Sequence, residues 1–138
     1  MKVISIQEPY ATLISLGIKK NETRSWKTNY RGQVLIHASI SKKYLNSIKD
    51  KNVLKLLENI TLNYGKILCK ATIVDCIEMT SDLIDKIKLN NQEYILGIYE
   101  PGRYAWILDN IELLPTQISA KGKLGLWEYE NKLSTKNG

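Results

Sequence analysis

The strand-like runs of this chain are separated mostly by turns rather than by regular crossover helices, and this restricts the fold more than any other feature. Parallel neighbours in a sheet need a crossover of a dozen or more residues, whereas antiparallel neighbours need only a turn. Val3–Ile6 is expected as a short first strand, and residues 21–26 alternate as a second. Thr28-Asn29 should turn the chain into a third strand, Arg31–Ser39. There Val34, Ile36 and Ala38 share one face, and Leu35, His37 and Ser39 the other. Gly65 opens a long β-branched run to about Ile77. Arg103–Leu114 and Leu124–Tyr129 complete the strands.

Helices are short in this reading. Glu8-Pro9 starts one, with Pro9 suited to the first helical position, Tyr10, Leu13 and Ile14 on one face, and Gly17 as a left-handed stop. Residues 42–60 read as two helical pieces broken at Asp50-Lys51-Asn52. Thr80 or Ser81 is placed to cap a helix carrying Leu83, Ile84 and Ile87. The resulting order argues for an α+β fold: a small, mostly antiparallel barrel-like sheet with short helices at its side. A length of 138 residues fits one domain, expected over residues 1–130, with a polar, fraying tail at 131–138.

Several function classes are excluded at this stage. The apolar runs are too short to span a membrane, and the N-terminal stretch is interrupted too early for a signal peptide. Cys69 and Cys76, seven apart in one strand, are expected on opposite faces, unpaired and reduced, which suggests a cytoplasmic protein. A single histidine, His37, beside two divergent cysteines makes no zinc site, and no organic cofactor is indicated. The net charge is +6, and residues 1–43 hold the entire excess, with eight Lys/Arg against two acids. Such a field suits a polyanion, with an expected salt slope near about −3.5 if some five phosphates of a single strand are contacted. A solvated lysine-rich surface accounts for the same charges equally well.

The densest polar cluster is Gly17-Ile18-Lys19-Lys20-Asn21-Glu22-Thr23-Arg24. Glu22, Arg24 and Trp26 are two apart, so a strand would project a carboxylate, a guanidinium and an indole from one face. The indole can stack on a base, Arg can pair with phosphate or a base edge, and Glu can accept from an exocyclic amine. An Arg–Glu surface pair beside a core Trp explains the same spacing.

This segment resembles the ASCH domain, a branch of the PUA-like superfamily, whose signature Gly-x-Lys-x-x-Glu-x-Arg is matched by Gly17, Lys19, Glu22 and Arg24. Ser5–Ala11, Arg24–Thr28, Tyr30–Gly32 with Leu35–Ser39, Pro101–Trp106 and Lys121–Trp127 resemble further blocks of that family, so the likeness covers nearly the whole chain and is weakest at about 40–95. It implies a PUA-like barrel with a cleft lined by Lys19, Glu22 and Arg24, and an RNA-linked role. The family includes amidohydrolases acting on N4-acetylcytidine, a ribonuclease type, and domains fused to transcription coactivators. Fold alone does not choose among these.

One departure bears on mechanism. In the amidohydrolase members a threonine, proposed as nucleophile, stands where this chain has Glu22. Thr23 is adjacent but expected on the other strand face. A hydrolase here would use Glu22 as general base on water, with Lys19 or Arg24 stabilising the oxyanion. Catalysis therefore rests on Lys19 and Glu22 in this reading. Ligand or RNA binding draws on Gly17, Arg24, Trp26, Thr28, Tyr30, Arg31, His37 and Tyr104. Thr28, Tyr30 and Arg31 are also explicable as a hairpin turn, His37 as a hydrogen-bonded structural residue, and Tyr104 with Trp106 as core. Lys121-Gly122-Lys123 reads as an ordinary basic turn. The readings left open are a binder of RNA or of a nucleoside or nucleotide ligand, a hydrolase of the same fold, and a protein-interaction module.

Overall fold

The computed structural model describes residues 1–130, so the expected tail at 131–138 lies outside the described residues. Six strands form one sheet: β1 (Lys2–Ile6), β2 (Asn21–Arg24), β3 (Gly32–Ala38), β4 (Lys66–Glu78), β5 (Tyr104–Ser119) and β6 (Leu126–Glu128). Their spatial order is β2-β5-β4-β3-β1-β6, curled as a half-barrel. Every neighbouring pair is antiparallel except β1 with β3, which run parallel in the register Val3 to Leu35 and Ser5 to His37. Five short helices lie beside the sheet: α1 (Tyr10–Ser15), α2 (Lys43–Ser47), α3 (Lys51–Leu57), α4 (Ser81–Lys88) and α5 (Asn91–Ile95). No described helix is long and apolar enough to cross a membrane.

The period-2 pattern of β3 is realised, but both faces are buried. Val34, Ile36 and Ala38 join the main core with Ile4, Ile6, Leu68, Ala71 and Trp106, while Leu35 packs with Val3, Ile67 and Trp127 on the other side. Helix α1 closes the main core. Five of its six residues are buried, so it is an internal plug rather than an amphipathic surface helix. Pro9 takes the N-cap rather than the first helical position.

The α1 plug carries a buried acid. Glu8 is fully buried, and its carboxylate accepts from the Thr12 N–H (2.8 Å), the Thr12 hydroxyl (2.5 Å) and the Asn63 N–H (2.8 Å). It thus serves as a substitute cap for α1 and ties it to the segment before β4.

The two cysteines do not lie on opposite faces as expected. Cys69, Ala71 and Ile73 point inward; then Val74 and Asp75 are both exposed, and Cys76 turns inward again. The β4–β5 register shifts between Ile73 and Asp75, and this bulge resets the alternation. Both thiols stay free, and burial pushes the Cys69 thiol up to about 12.

Residues 42–60 do form two helical pieces; the break falls at 48–50, Lys51 and Asn52 already belong to α3, and Asp50 is its N-cap, with its side chain accepting from the Asn52 and Val53 N–H groups. Thr80 caps α4 through the Leu83 N–H, as anticipated. Helix α5 was not foreseen, because its one turn has no apolar period to betray it.

Glu8→Ala is expected to lose about 3 kcal/mol of stability, since it leaves the buried Thr12 N–H and hydroxyl without their acceptor. Urea unfolding of the variant measures this directly.

Candidate functional site

Helix α1 ends at a left-handed Gly17 (φ 75°), and the chain turns back at once through Ile18 and Lys19, whose N–H groups both donate to Leu13 O. This tight exit drives Lys19 inward. Its side chain is only 2% exposed, with Nζ donating to Leu96 O (2.6 Å) and lying 5.5 Å from the centre of the Tyr10 ring. Burial pushes the Lys19 pKa below the usual lysine value. Glu22 and Glu93 counteract that shift, while Arg24 adds to it.

Strand β2 then places Glu22 and Arg24 on one face. Arg24 Nε and Nη2 both reach Glu22 Oε2 (3.0 and 2.9 Å), and Nη2 also donates to Ser5 O (2.8 Å). The other carboxylate oxygen, Oε1, accepts from the Thr23 N–H (3.1 Å). Glu22 therefore forms its ion pair with Arg24, not with Lys19. The expected face of three does not extend to Trp26, because β2 ends at Arg24. Trp26 lies beyond the strand end, packed edge-on against the buried Trp106 at 4.7 Å, and one third exposed.

These residues border a cavity of about 610 Å³ at one end of the sheet. Its floor carries Lys19, Glu22, Arg24, Ser5 and His37; Tyr10 and Tyr44 form one wall; and Gly97, Ile98 and Arg103 form another. Thr23 borders it too, with its hydroxyl accepting from the Ile98 N–H (3.2 Å). The last wall is the loop Lys121–Gly125, which sequence reasoning took for an ordinary turn. Five of the large apolar side chains that stand exposed in the described residues, Trp26, Ile40, Tyr44, Ile98 and Leu124, ring this one cavity. Their concentration at a single mouth makes the cavity the candidate binding surface.

Several candidate residues lie elsewhere. Thr28, Tyr30 and Arg31 are not in the cavity lining; they build the connection to β3. Thr28 Oγ1 accepts from the Tyr30 N–H, the Tyr30 hydroxyl donates to Gln33 O, and Arg31 pairs with Asp75 (3.5 Å). Tyr104 packs at the edge of the main core opposite Arg24 in the β2–β5 register. Gly17 borders a smaller cavity of about 300 Å³ with Lys20 and Asn110 instead.

His37 does border the main cavity, but it is 1% exposed and fully bonded. Its Nε2 is 2.8 Å from Ala120 O, and its Nδ1 is 2.9 Å from Ser5 Oγ. A carbonyl only accepts, so Nε2 carries the proton and Nδ1 accepts from the Ser5 hydroxyl. The Trp127 indole N–H in turn donates to Ser5 Oγ (3.1 Å).

Glu93 is a buried acid beside the site, outside the cavity lining, that the sequence did not reveal. It is 4% exposed, and its carboxylate accepts from the Lys20 N–H (2.7 Å) and the Asn21 N–H (3.2 Å). It fixes the backbone beside Lys19 while supplying negative charge to the same region. Its sequence context, Asn-Gln-Glu-Tyr, carries no signal that separates it from an ordinary surface glutamate.

Comparison with known proteins agrees with the fold. A family model described as ASCH domain matches residues 4–117. The chain is 21% identical over 131 residues to Activating signal cointegrator 1 of Homo sapiens, and equally to that of Mus musculus. Each match covers 94% of this chain but 22% of the relative, so the chain spans about a fifth of the length of these proteins. Its fold is similar to the crystal structure of ASCH from Zymomonas mobilis, with a TM-score of 0.61 at 14% identity, covering 99% of this chain and 92% of that one.

The depressed pKa of Lys19 has a consequence for stability. Between that pKa and the unfolded-state value, the unfolded chain binds the extra proton, so this group's contribution to stability rises with pH there. Lys19→Met should remove that rise, as seen by comparing denaturation midpoints of both proteins across pH 7 to 10.

Proposed function

The chain belongs to the ASCH domain family, and from that premise we propose that its cleft binds a nucleotide-like ligand, either free or as an unstacked nucleotide of RNA. The observation that carries the reading is the composition of the cavity. A paired guanidinium and carboxylate on the floor offer donors and acceptors to a base edge, and tyrosines, Trp26 and aliphatic side chains at the mouth offer surface to a base face. Duplex nucleic acid presents phosphates and a groove, and would leave such an apolar mouth unused.

Charge supports the cleft rather than the N-terminal third as a whole. Of the eight N-terminal cations, Lys2 pairs with Glu128 (2.8 Å), Arg24 with Glu22, Arg31 with Asp75, and Lys19 is buried beside carboxylates. Glu128 and Asp75, which lie outside residues 1–43, thus offset two of the six excess charges of that segment. Arg103, Lys121 and Lys123 at the cavity edge are the cations placed to meet phosphates.

Hydrolysis of an acylated cytidine or a phosphodiester is a second reading, favoured by the burial and lowered pKa of Lys19 inside the cavity. Both oxygens of Glu22 already accept hydrogen bonds, which counts against Glu22 as the base. Chromatography after incubation with acylated cytidines or RNA tests it; product formed by the wild type but not by Lys19→Met would establish turnover.

For the binding reading, the anisotropy of a labelled single-stranded RNA should report weakening of about 1–3 kcal/mol for Trp26→Ala, the loss of one stacked base. Log affinity should fall against log salt with a slope near about −2, as three phosphate contacts require, rather than the steeper value implied by the whole N-terminal excess. Wild-type affinity retained in both Trp26→Ala and Arg24→Ala would exclude the cleft and favour a protein-interaction module.

A further inference from the structure

The cations that border the cavity fall into two groups. Lys19 and Arg24 are already engaged: one donates to Leu96 O beneath the Tyr10 ring, the other to Glu22 and Ser5 O. With Glu22 in the same lining and Glu93 close behind, the floor is near charge balance. The surplus lies in Arg103, whose Nε donates to Ile98 O, and in Lys121 and Lys123 on the loop that joins β5 to β6. Both lysines are exposed, and neither neighbours an acid in sequence.

That loop is held in place from beneath. His37 Nε2 donates to Ala120 O, the residue just before it. Gly122 lies directly on the Ser5–His37 pair: a Cβ there would come within 2.9 Å of both His37 Cε1 and Ser5 Oγ, and 3.1 Å of His37 Nδ1. These atoms belong to a buried ring and a hydroxyl fixed by Trp127, so they cannot move aside as the end of a flexible side chain would. Lys123 Nζ lies 5.9 Å from the centre of that same Trp127 ring. Close approach of a glycine between two lysines, over a rigid hydrogen-bonded base, is a geometry that leaves the backbone open to a small anion while the flanking ammonium groups supply charge.

We infer that the Lys121–Lys123 segment is the phosphate subsite of the cleft, with His37 as the positioning residue that latches it to the sheet. The preferred ligand is then a nucleotide rather than a nucleoside, with its base over the Glu22–Arg24 floor and its phosphate against this loop. This inference rests on the nucleotide-binding reading above and assigns the part of the cleft that the family signature does not include.

The test is calorimetric titration of the full chain with four ribonucleosides and their 5′-monophosphates. Wild type should bind at least one monophosphate about tenfold more tightly than its nucleoside, the gain expected from a charge-assisted contact. That ratio should collapse towards one in Lys121→Ala/Lys123→Ala, whose exposed positions leave folding intact, and should fall in Gly122→Ala. A wild-type protein that binds nucleosides and monophosphates equally would overturn the subsite and leave the cleft reading standing. A ratio that survives the double lysine substitution would overturn it as well. Absence of binding to nucleosides, monophosphates and single-stranded RNA alike would overturn the cleft reading and the subsite with it.

Discussion

Lys19 takes an ammonium group into the protein interior, and the layout of the cleft follows from how that group is accommodated. An isolated buried charge costs several kcal/mol, so the surroundings must answer it. Leu96 O accepts directly from Nζ, the Tyr10 ring faces it, and two carboxylates lie near enough to favour its charged form. Tyr10 comes from α1, Glu22 from β2 and Glu93 from α5, and Leu96 is the residue that follows α5. Holding Lys19 therefore brings together three of the segments that border the cavity, at Tyr10, Glu22 and Leu96. Glu93 ties the same region a second time by accepting from the Lys20 and Asn21 N–H groups. Gly97 follows from the same crowding, since a Cβ there would meet Thr23 and Tyr99 atoms at 2.9 Å.

The division of charge that results differs from the one a linear count implies. The +6 excess sits in residues 1–43 of the sequence, yet folding pairs two of those cations with acids from distant strands, Lys2 with Glu128 and Arg31 with Asp75, while Arg24 pairs with Glu22 within the motif. Arg103 and a loop some hundred residues after the motif supply further cations to the cavity lining. The paired floor and these cations occupy different parts of one cavity, a division that suits the proposed ligand, with an uncharged heterocycle at one end and an anion at the other.

Period and turn chemistry made most of the sheet legible. The alternation of Val34, Ile36 and Ala38, the β-branched run after Gly65 and the Thr80 cap all appear as read. The failures have physical causes. Cys69 and Cys76 share a face because a bulge at Val74–Asp75 inserts a residue into the count, and nothing in the local sequence demands a bulge. Trp26 was assigned to a strand that ends two residues earlier. The signature cluster Lys19, Glu22 and Arg24 was legible because its spacing is local. Tyr44, the Lys121–Gly125 loop at the cleft, and Glu93 behind it were not, because their positions depend on contacts across the fold, more than 70 residues apart for Glu93–Lys20 and His37–Ala120.

The most direct test of the account is to map where the ligand touches. Backbone amide chemical shifts of the protein, followed while a short single-stranded RNA is titrated in, report each residue separately. The account predicts that the largest changes fall on Lys19 to Trp26, Gly97-Ile98 and Lys121 to Gly125, the segments that enclose the cavity. Changes concentrated instead on the exposed residues of α3, or on the outer stretch of β5 beyond Asn110, would place the binding face elsewhere and contradict it.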